Sequence, residues 1–326
     1  MHILITGAAG MIGRKLTARL VKDARLNDQS IDRLTLIDVV APEKSAGFAG
    51  AVETATADLS APGVAAQAIA GRPDVIFHLA GVVSGEAEVD FDKGYRVNLD
   101  GTRALLEAVR LAGDGYKPKF VFTSSVAVFG APFPDAIPDA FHLTPLTSYG
   151  TQKAICELLL ADYTRRGFLD GVGIRLPTIC VRPGKPNKAA SGFFSGIIRE
   201  PLAGEEALLP VSETVRHTHA SPRAAVGFLI HAAGLTREQL GPRINISMPG
   251  VSCTVGEQIE ALRRVAGDKV AARIKRAPDA LIERIVGGWA ERIEAKRARE
   301  LGFKAEKSFD DIIRTHIEDE LGGRVA

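Results

Sequence analysis

Cysteine and aromatic residues are scarce in this sequence. Its 326 residues include three cysteines, one tryptophan and four tyrosines. Cys156, Cys180 and Cys253 are scattered, odd in number and without the close pairing of a metal-binding motif. A disulfide framework is therefore not expected, and this cysteine usage is typical of the reducing cytoplasm. We expect a cytoplasmic protein that requires no metal.

Long apolar runs and an excess of charge of one sign are also absent. No run approaches the roughly 20 apolar residues of a membrane-spanning helix. The first residues, MHILITGAAG, lack the basic leader and cleavage site of a secretion signal. The formal net charge is only +2, which creates no overall attraction to nucleic acid or to an anionic membrane. We expect neither of these partners.

What the sequence does contain is an alternation of strand and helix patterns up to residue 181. The predicted strands are residues 2–6, 33–40, 73–81, 119–130 and 171–181, and the longest predicted helices are residues 95–113 and 147–167. This alternation predicts an α/β fold, a Rossmann-type doubly wound parallel sheet with helices on both faces. We expect this domain over residues 1–181, with 221–247 returning to it. Residues 182–220 and 248–326 would form a smaller, mostly helical substrate-binding lobe.

A glycine-rich turn follows the first predicted strand. Gly7, Gly10 and Gly13 stand in the sequence GAAGMIG, in which Met11 and Ile12 open a helical pattern. Glycines at this spacing allow a tight turn and a close approach of backbone N–H groups to a pyrophosphate at a helix N-terminus. A turn with only a packing role is the alternative. The preceding strand and the following helix favour a dinucleotide site.

Further cofactor-binding candidates lie at the ends of later strands. Asp38 ends the second strand, where a carboxylate can accept hydrogen bonds from the adenine-ribose hydroxyls and would repel a 2′-phosphate. The sequence therefore favours NAD over NADP, although Arg14 beside the glycine turn could partly compensate. An exposed carboxylate without a ligand is the alternative for Asp38. The other strand-end candidates are Asp58, Leu59, Leu79, Ala80 and Gly81.

The stretch TSYGTQKA places Tyr149 and Lys153 four residues apart, on one face of a predicted helix. Ser125 ends the strand before it, at the edge where ligands bind in open α/β sheets. A neighbouring cation lowers a tyrosine pKa that is ordinarily ~10. In alcohol oxidation Tyr149 would take the hydroxyl proton, Lys153 would support it and hold the nicotinamide ribose, and Ser125 would hydrogen-bond the substrate oxygen. A solvated Tyr–Lys pair is the alternative, which the upstream serine and the glycine turn disfavour.

Together these motifs resemble the extended short-chain dehydrogenases/reductases. The stretches that carry the resemblance are GAAGMIG, LIDVV, ADLS, FHLAG, RVNLDGTRALLEA, FVFTSSVAVFG, SYGTQKAICE and KRARELGF. The resemblance implies hydride transfer to or from NAD(P), with Ser125, Tyr149 and Lys153 as the catalytic triad. It also implies a homodimer that packs through the helices at 95–113 and 147–167. The further cofactor contacts that it implies are Asn98, Pro177 and Ile179, in addition to Tyr149 and Lys153.

Departures from the sugar-nucleotide enzymes of that family concern the substrate. Thr178 stands where an asparagine is usual, His217 replaces an acidic residue, and Phe129 replaces a tyrosine. The segments RLPTICVRPGKPN and VRHTHASPR instead resemble the D-erythronate dehydrogenase group of the family. This implies NAD-dependent oxidation of a four-carbon sugar acid at the hydroxyl beside the carboxylate. The alternatives are a nucleotide-sugar epimerase or dehydratase with retained NAD, and an NAD-sensing regulator without catalysis.

A small sugar acid needs a cation and hydroxyl partners in its binding site. Arg182 and Arg216 are candidates for the carboxylate because a guanidinium binds it through two hydrogen bonds, and an internal salt bridge is the alternative for each. His217 and His219 would share one face of a strand. Packing or hydrogen bonding is favoured over metal binding for them, since no third ligand lies nearby. The candidates for the substrate hydroxyls are Ser84, Ser125 and Thr178.

Overall fold

The computed structural model describes residues 1–44, 47–184 and 190–325, which form two compact units. The sheet unit contains Met1–Val128, Thr147–Arg175 and Val226–Ile246. The lobe unit contains Phe129–Leu146, Leu176–Ala225 and Ser247–Ala326. This division differs from the predicted domain boundaries, because residues 129–146, 176–181, 221–225 and 247 group with the lobe unit.

The strands of the described residues are β1 His2–Thr6, β2 Arg25–Leu26, β3 Gln29–Ser30, β4 Arg33–Asp38, β5 Ala51–Thr56, β6 Val75–His78, β7 Lys119–Ser125, β8 Asp170–Leu176, β9 Thr178–Ile179, β10 Ala207–Leu209, β11 Arg216–Ala220, β12 Asn245–Ser247, β13 Val251–Thr254 and β14 Ile274–Arg276.

The α-helices are α1 Met11–Asp23, α2 Val64–Ala68, α3 Ser84–Val89, α4 Phe91–Gly94, α5 Gly101–Leu111, α6 Ser148–Arg165, α7 Gly192–Leu202, α8 Pro222–Gly234, α9 Arg237–Leu240, α10 Val255–Ala266, α11 Asp268–Ala271, α12 Ala280–Gly287, α13 Lys296–Glu300 and α14 Phe309–Glu320. A π-helix, Tyr95–Asp100, leads into α5, and a 3₁₀ turn, Val126–Val128, follows β7. None of the described helices is both long and apolar enough to cross a membrane.

Seven strands form the sheet of the sheet unit, in the order β12-β8-β7-β6-β1-β4-β5. Strand β1 pairs in parallel with β4 on one side and β6 on the other, and β4–β5 and β6–β7 are parallel too. The α/β prediction is therefore confirmed. The chain turns from one half of the sheet to the other beside β1, and ligands of such sheets bind at the carboxyl ends of the strands at this point.

Differences from the predicted elements have local causes. Strand β5 was not predicted, because it is a largely exposed edge strand without an apolar run. The predicted strand at 119–130 ends at Ser125, and the one at 171–181 ends at Leu176. Pro177 follows, and a proline has no N–H to donate to a sheet ladder. Residues 178–179 form β9, which pairs with β11 in a different sheet.

The lobe unit contains a three-stranded sheet, β13-β11-β9, and a two-stranded sheet, β10-β14. Its helix α7 lies in a Pro- and Gly-rich stretch of the segment that we assigned to the substrate-binding lobe. Phe194, Ile197 and Ile198 of α7 are fully buried, and this spacing is that of one apolar helix face.

Candidate active site

The glycine turn between β1 and α1 leaves no room for side chains. Gly7 has a φ of 73°, and a Cβ on it would lie 2.6 Å from the backbone nitrogen of Ala80. A Cβ on Gly13 would lie 2.2 Å from the Gly7 carbonyl oxygen. Gly10 precedes α1 and has no side chain, so no side-chain cap occupies this helix N-terminus. The turn therefore has the backbone shape that a pyrophosphate needs.

Asp38 lies beside this turn, as predicted from its position at the end of β4. Its Oδ2 accepts a hydrogen bond from the backbone N–H of Ala9 at 2.9 Å, and its Oδ1 accepts one from Val40 at 3.2 Å. The carboxylate thus fixes the glycine turn to the end of the second strand. Both of its oxygens have lone pairs left for hydroxyl donors.

The later strand ends meet the same region of the sheet unit. Gly7 approaches Leu79 and Ala80, which follow β6. Asp58 accepts hydrogen bonds from the backbone and hydroxyl of Ser60 and pairs with Arg96 at 3.2 Å. The Ser60 hydroxyl, with the Arg96 charge as a smaller contribution, lowers the pKa of Asp58. Leu59 is buried, with 6% exposure.

Asn98 is buried in the π-helix, where it connects the β6 loop to helix α6. Its Oδ1 accepts a hydrogen bond from Val82 N–H at 2.8 Å, and its Nδ2 donates one to Gln152 Oε1 at 2.7 Å. A Cβ on Gly81 would lie 2.8 Å from Asn98 Oδ1 and 3.7 Å from Lys153 Nζ. Gly81, Asn98 and Lys153 therefore adjoin one another.

Tyr149 and Lys153 lie on α6, which packs against β7 and the turn Val126–Val128. Lys153 is 4% exposed, and its Nζ donates a hydrogen bond to the Thr123 carbonyl oxygen at 2.8 Å. The same nitrogen lies 5.7 Å from the centre of the Tyr149 ring. Ser125 Oγ accepts a hydrogen bond from Ala127 N–H at 3.1 Å, so its own proton can be donated elsewhere. The phenol, the ammonium and the hydroxyl thus belong to one packed region of the sheet unit.

A buried hydrogen-bonded chain that the sequence did not reveal runs behind these residues. Thr102 donates its proton to the Asn98 carbonyl at 2.6 Å, so its Oγ1 accepts from His78 Nε2 at 2.9 Å. His78 Nδ1 then accepts from the Thr6 hydroxyl at 2.7 Å. Burial, with the charge of Lys153 as a second cause, lowers the pKa of His78 to about 3. The imidazole is therefore neutral and has one defined tautomer.

Among the candidates for substrate binding, Ser84 is the first residue of α3 in the sheet unit. Thr178, Arg182 and Arg216 belong to the lobe unit. Thr178 is hydrogen-bonded to His217, and both residues are departures from the sugar-nucleotide enzymes of the family. His217 Nδ1 contacts the Ala290 carbonyl at 3.0 Å, so this nitrogen carries the proton, and Nε2 accepts from the Thr178 hydroxyl at 2.8 Å. Burial lowers the pKa of His217 to about 4, which keeps the ring neutral. With its proton committed, Thr178 can only accept a further hydrogen bond.

The two arginine candidates differ in their partners. Arg216 pairs with Glu257 at 3.1 Å and donates to the Ser252 carbonyl. Arg182 donates to the Ile179 carbonyl at 3.0 Å and to Ser191 Oγ at 3.1 Å. The pairing of Arg216 with Glu257 is the internal salt bridge that was the alternative to carboxylate binding. Pro177 and Ile179, the remaining cofactor candidates, are buried in the lobe unit as well.

His219 and His217 both lie on β11, and their ring centres are 5.5 Å apart. Its Nε2 contacts the Gln258 side chain at 2.8 Å. Burial is the largest cause that lowers its pKa well below the ordinary value. Over the described ranges, no group of three or more His, Cys, Asp or Glu side chains could hold a metal ion.

Comparison with known proteins agrees with this geometry. The model of the NAD dependent epimerase/dehydratase family matches residues 3–231. The chain belongs to this family. Curated proteins named D-erythronate dehydrogenase are 52% identical over 98% of both chains, from Cupriavidus necator, and 43% identical over 98% of this chain and 100% of the relative, from Haemophilus influenzae.

Solved structures of this family share the whole fold. A structure described as a nucleoside-diphosphate-sugar epimerase from Agrobacterium tumefaciens is 68% identical, covers 100% of this chain and 96% of its own, and has a TM-score of 0.98. A GalE-like L-threonine dehydrogenase from Cupriavidus necator is 21% identical with a TM-score of 0.84, covering 98% and 99% of the two chains. At that identity the second structure shows only the shared fold.

Proposed function

We propose that this family member is an NAD-dependent dehydrogenase that oxidises D-erythronate to 2-dehydro-D-erythronate. The observation that carries the proposal is the end-to-end match at 52% and 43% identity to two D-erythronate dehydrogenases. Matches to UDP-glucose 4-epimerases are weaker and shorter, for example 35% identity over 52% of this chain. The packed arrangement of Ser125, Tyr149 and Lys153 supplies the groups that alcohol oxidation needs.

The glycine turn fits the cofactor, because glycine at positions 7 and 13 lets the turn pack directly against the backbone of Leu79, Ala80 and Ala8, which gives the tight strand-to-helix turn of a dinucleotide site. Bound NAD supplies the hydride acceptor. Asp38 holds the adenine ribose and disfavours a 2′-phosphate. The other residues that we propose for cofactor binding are Gly10, Met11, Ile12, Asp58, Leu59, Leu79, Ala80, Gly81, Asn98, Tyr149, Lys153, Pro177 and Ile179.

The chemical step removes a proton and a hydride from one carbinol group of the substrate. The Tyr149 phenolate takes the hydroxyl proton, while the C–H hydrogen leaves as hydride and a ketone forms. Lys153, which the Thr123 carbonyl holds in place, stabilises the phenolate electrostatically and holds the nicotinamide ribose. Ser125 donates its free proton to the substrate oxygen and keeps it oriented. His78 is neutral, so its imidazole adds no second positive charge beside Lys153.

For the substrate carboxylate we propose Arg182, with Arg216 as the second candidate. A guanidinium of fixed orientation binds a carboxylate through two parallel hydrogen bonds. The hydrogen bonds from Arg182 to Ile179 and Ser191 fix the plane of its guanidinium. Thr178 would accept a hydrogen bond from a substrate hydroxyl, and Ser84 is a further hydroxyl partner.

We also propose a cytoplasmic homodimer that packs through the helical segments 95–113 and 147–167. Leu111 on α5 and Leu158 on α6 are 69% and 65% exposed, and a dimer that packs through these two helices would cover them. Light scattering tests this, because a monomer mass of 34.7 kDa would contradict the dimer.

The decisive experiment is a panel of C4 to C6 sugar acids and UDP-sugars, assayed with NAD and with NADP. We expect NAD reduction with D-erythronate and much weaker use of NADP. Absence of activity on every sugar acid would refute the proposal. The alternative function is nucleotide-sugar epimerisation, the activity named in the description of the Agrobacterium tumefaciens structure. Turnover of a UDP-sugar with co-purified NAD and no added cofactor would establish it.

A further inference from the structure

Three side chains form a stripe along one face of α6. Tyr149, Lys153 and Glu157 follow one another at intervals of four residues, and residues at this interval share a helix face. Glu157 lies one turn beyond Lys153 and is 0% exposed. A carboxylate this far from water requires charged or hydrogen-bonding partners. The partners of Glu157 connect it to the strand that carries Ser125.

The Glu157 carboxylate joins α6 to two neighbouring strands. Arg175 of β8, itself 7% exposed, donates from Nε to Oε1 at 2.9 Å and from Nη2 to Oε2 at 2.7 Å. Ser124 of β7, 3% exposed, donates from Oγ to Oε1 at 2.5 Å. Strands β7 and β8 are adjacent in the sheet. The arginine neutralises the carboxylate, and the serine attaches it to the residue directly before Ser125.

Two successive turns of α6 are thus bonded to two successive residues of β7. Lys153 Nζ donates to the carbonyl of Thr123, and Glu157 accepts from the hydroxyl of Ser124. Two attachment points fix both the position of a helix along a strand and its rotation relative to the strand, whereas one attachment point would leave the rotation free. The next residue of the strand is Ser125, and the preceding turn of the helix carries Tyr149.

We propose that Ser124 and Glu157 are positioning residues of the dehydrogenase, and that the Ser124–Glu157–Arg175 network sets the separation of the Tyr149 phenol from the Ser125 hydroxyl. This inference rests on the proposed function, since that separation matters only if the two groups act on one substrate oxygen. Neither Ser124 nor Glu157 touches the reacting atoms. They act through the register of α6 on β7.

The clean test is the Ser124→Ala variant, because it removes only the bond to the strand and leaves Glu157 paired with Arg175. A misplacement of catalytic groups by a fraction of an ångström lowers turnover, so we expect kcat with D-erythronate to fall roughly tenfold. The KM for NAD should change less than kcat, because the glycine turn and Asp38, which we propose for the pyrophosphate and the adenine ribose, do not contact the network. A purely structural role would lower only the melting temperature.

The matched control is Thr164→Val, which removes a buried hydroxyl that lies on α6 itself. Thr164 donates to the Leu160 carbonyl within the helix and makes no bond to β7 among the described contacts. Its kcat should stay within about twofold of the wild type. A Ser124→Ala enzyme that is folded and retains the wild-type kcat would overturn the proposal.

Hydrogen exchange separates this inference from the proposed function. If the wild type does not oxidise D-erythronate or any other sugar acid, the proposed function fails, and amide exchange over residues 123–128 still tests the register. Faster exchange there in Ser124→Ala than in Thr164→Val would support the positioning role. Equal exchange in the two variants would contradict it.

Discussion

The two units of this protein use their buried polar side chains differently. In the sheet unit, Lys153 and Glu157 bind the end of one strand and hold a helix in register with it. In the lobe unit, Thr178 and His217 are hydrogen-bonded to each other. Because His217 Nδ1 donates to the Ala290 carbonyl, its Nε2 accepts the proton of the Thr178 hydroxyl. The first arrangement orients the residues that we propose as catalytic. The second sets whether a hydroxyl can donate or accept.

In the proposed function, this difference separates the reaction from its specificity. The groups of the sheet unit would suit any alcohol, because they would act on a hydroxyl and a hydride. The groups of the lobe unit would depend on the substrate, because an acceptor at Thr178 and a cation at Arg182 would select for a hydroxyl and an acid group. Variants in the sheet unit should therefore change kcat, and variants in the lobe unit should change KM.

The largest effect is expected for Tyr149→Phe, which removes the proton acceptor. General base catalysis contributes about 10²- to 10⁴-fold, so kcat with D-erythronate should fall by roughly 10³-fold. Tyr163→Phe is the matched control, because Tyr163 lies on the same helix and donates its hydroxyl to Glu107. The NAD reduction rate measures both. Equal activity of the two variants would contradict the role of Tyr149, and with it the assignment of catalysis to the sheet unit.

The sequence could predict Tyr149, Lys153, Ser125 and the glycine turn because their positions follow from regular geometry. Residues four apart share a helix face, and the ends of parallel strands lie at one sheet edge. Glu157 was visible in SYGTQKAICE at the next interval of four. Its role was not, because it depends on pairing with an arginine 18 residues away and on complete burial.

The contacts of the lobe unit could not be predicted in this way. Thr178 and His217 are 39 residues apart, and His217 and Ala290 are 73 apart. Nothing periodic relates such positions, so the sequence showed two unusual residues but not that they bind each other. The pairing of Arg216 with Glu257 was hidden for the same reason. A motif predicts local geometry, whereas tertiary contacts decide which polar atoms remain available.

A second prediction concerns the two arginines of the lobe unit. Arg182→Gln removes the proposed partner of the substrate carboxylate, and a hydrogen bond to a charged group contributes about 1.5–3 kcal/mol. The KM for D-erythronate should therefore rise by roughly 10- to 100-fold, with a smaller change in kcat. Steady-state kinetics measures both constants.

Arg216→Gln is the control for this experiment, because it breaks a bridge to Glu257 that is partly exposed to solvent. Such pairs contribute little, and the KM should stay within about twofold of the wild type. The opposite result, a raised KM for Arg216→Gln alone, would move the carboxylate site to Arg216.

A third prediction uses the neutral histidines, one in the sheet unit and two in the lobe unit. Burial lowers the pKa of His78 to about 3 and that of His217 to about 4, and it lowers the pKa of His219 well below its ordinary value. Above the ordinary histidine pKa of about 6.5, neither folded nor unfolded protein binds these protons. As the pH falls toward 5, only the unfolded chain binds them, so folding is destabilised.

The free energy of unfolding should then decrease by up to about 1.4 kcal/mol per pH unit for each buried histidine. Urea unfolding at pH 7.5, 6 and 5 measures this slope. Replacing His217 by Gln should make the slope shallower, whereas replacing the exposed His142 should not. If the slope between pH 6.5 and 5 is flat, the folded protein binds these protons and the neutral tautomers described above are wrong.

The smallest expected effect is on the free energy of unfolding, and it is obtained by replacing one helix glycine in each unit. Gly227 lies inside α8 of the sheet unit, and a Cβ there would meet no atom within 4 Å. Gly227→Ala should therefore raise the free energy of unfolding by about 0.5–1 kcal/mol, because alanine loses less conformational entropy in a helix than glycine. In α7 of the lobe unit, a Cβ on Gly196 would meet Glu200 at 3.5 Å, so Gly196→Ala should gain less. Urea unfolding of both variants measures the difference, and destabilisation by Gly227→Ala would show that this face of α8 is covered in the native assembly.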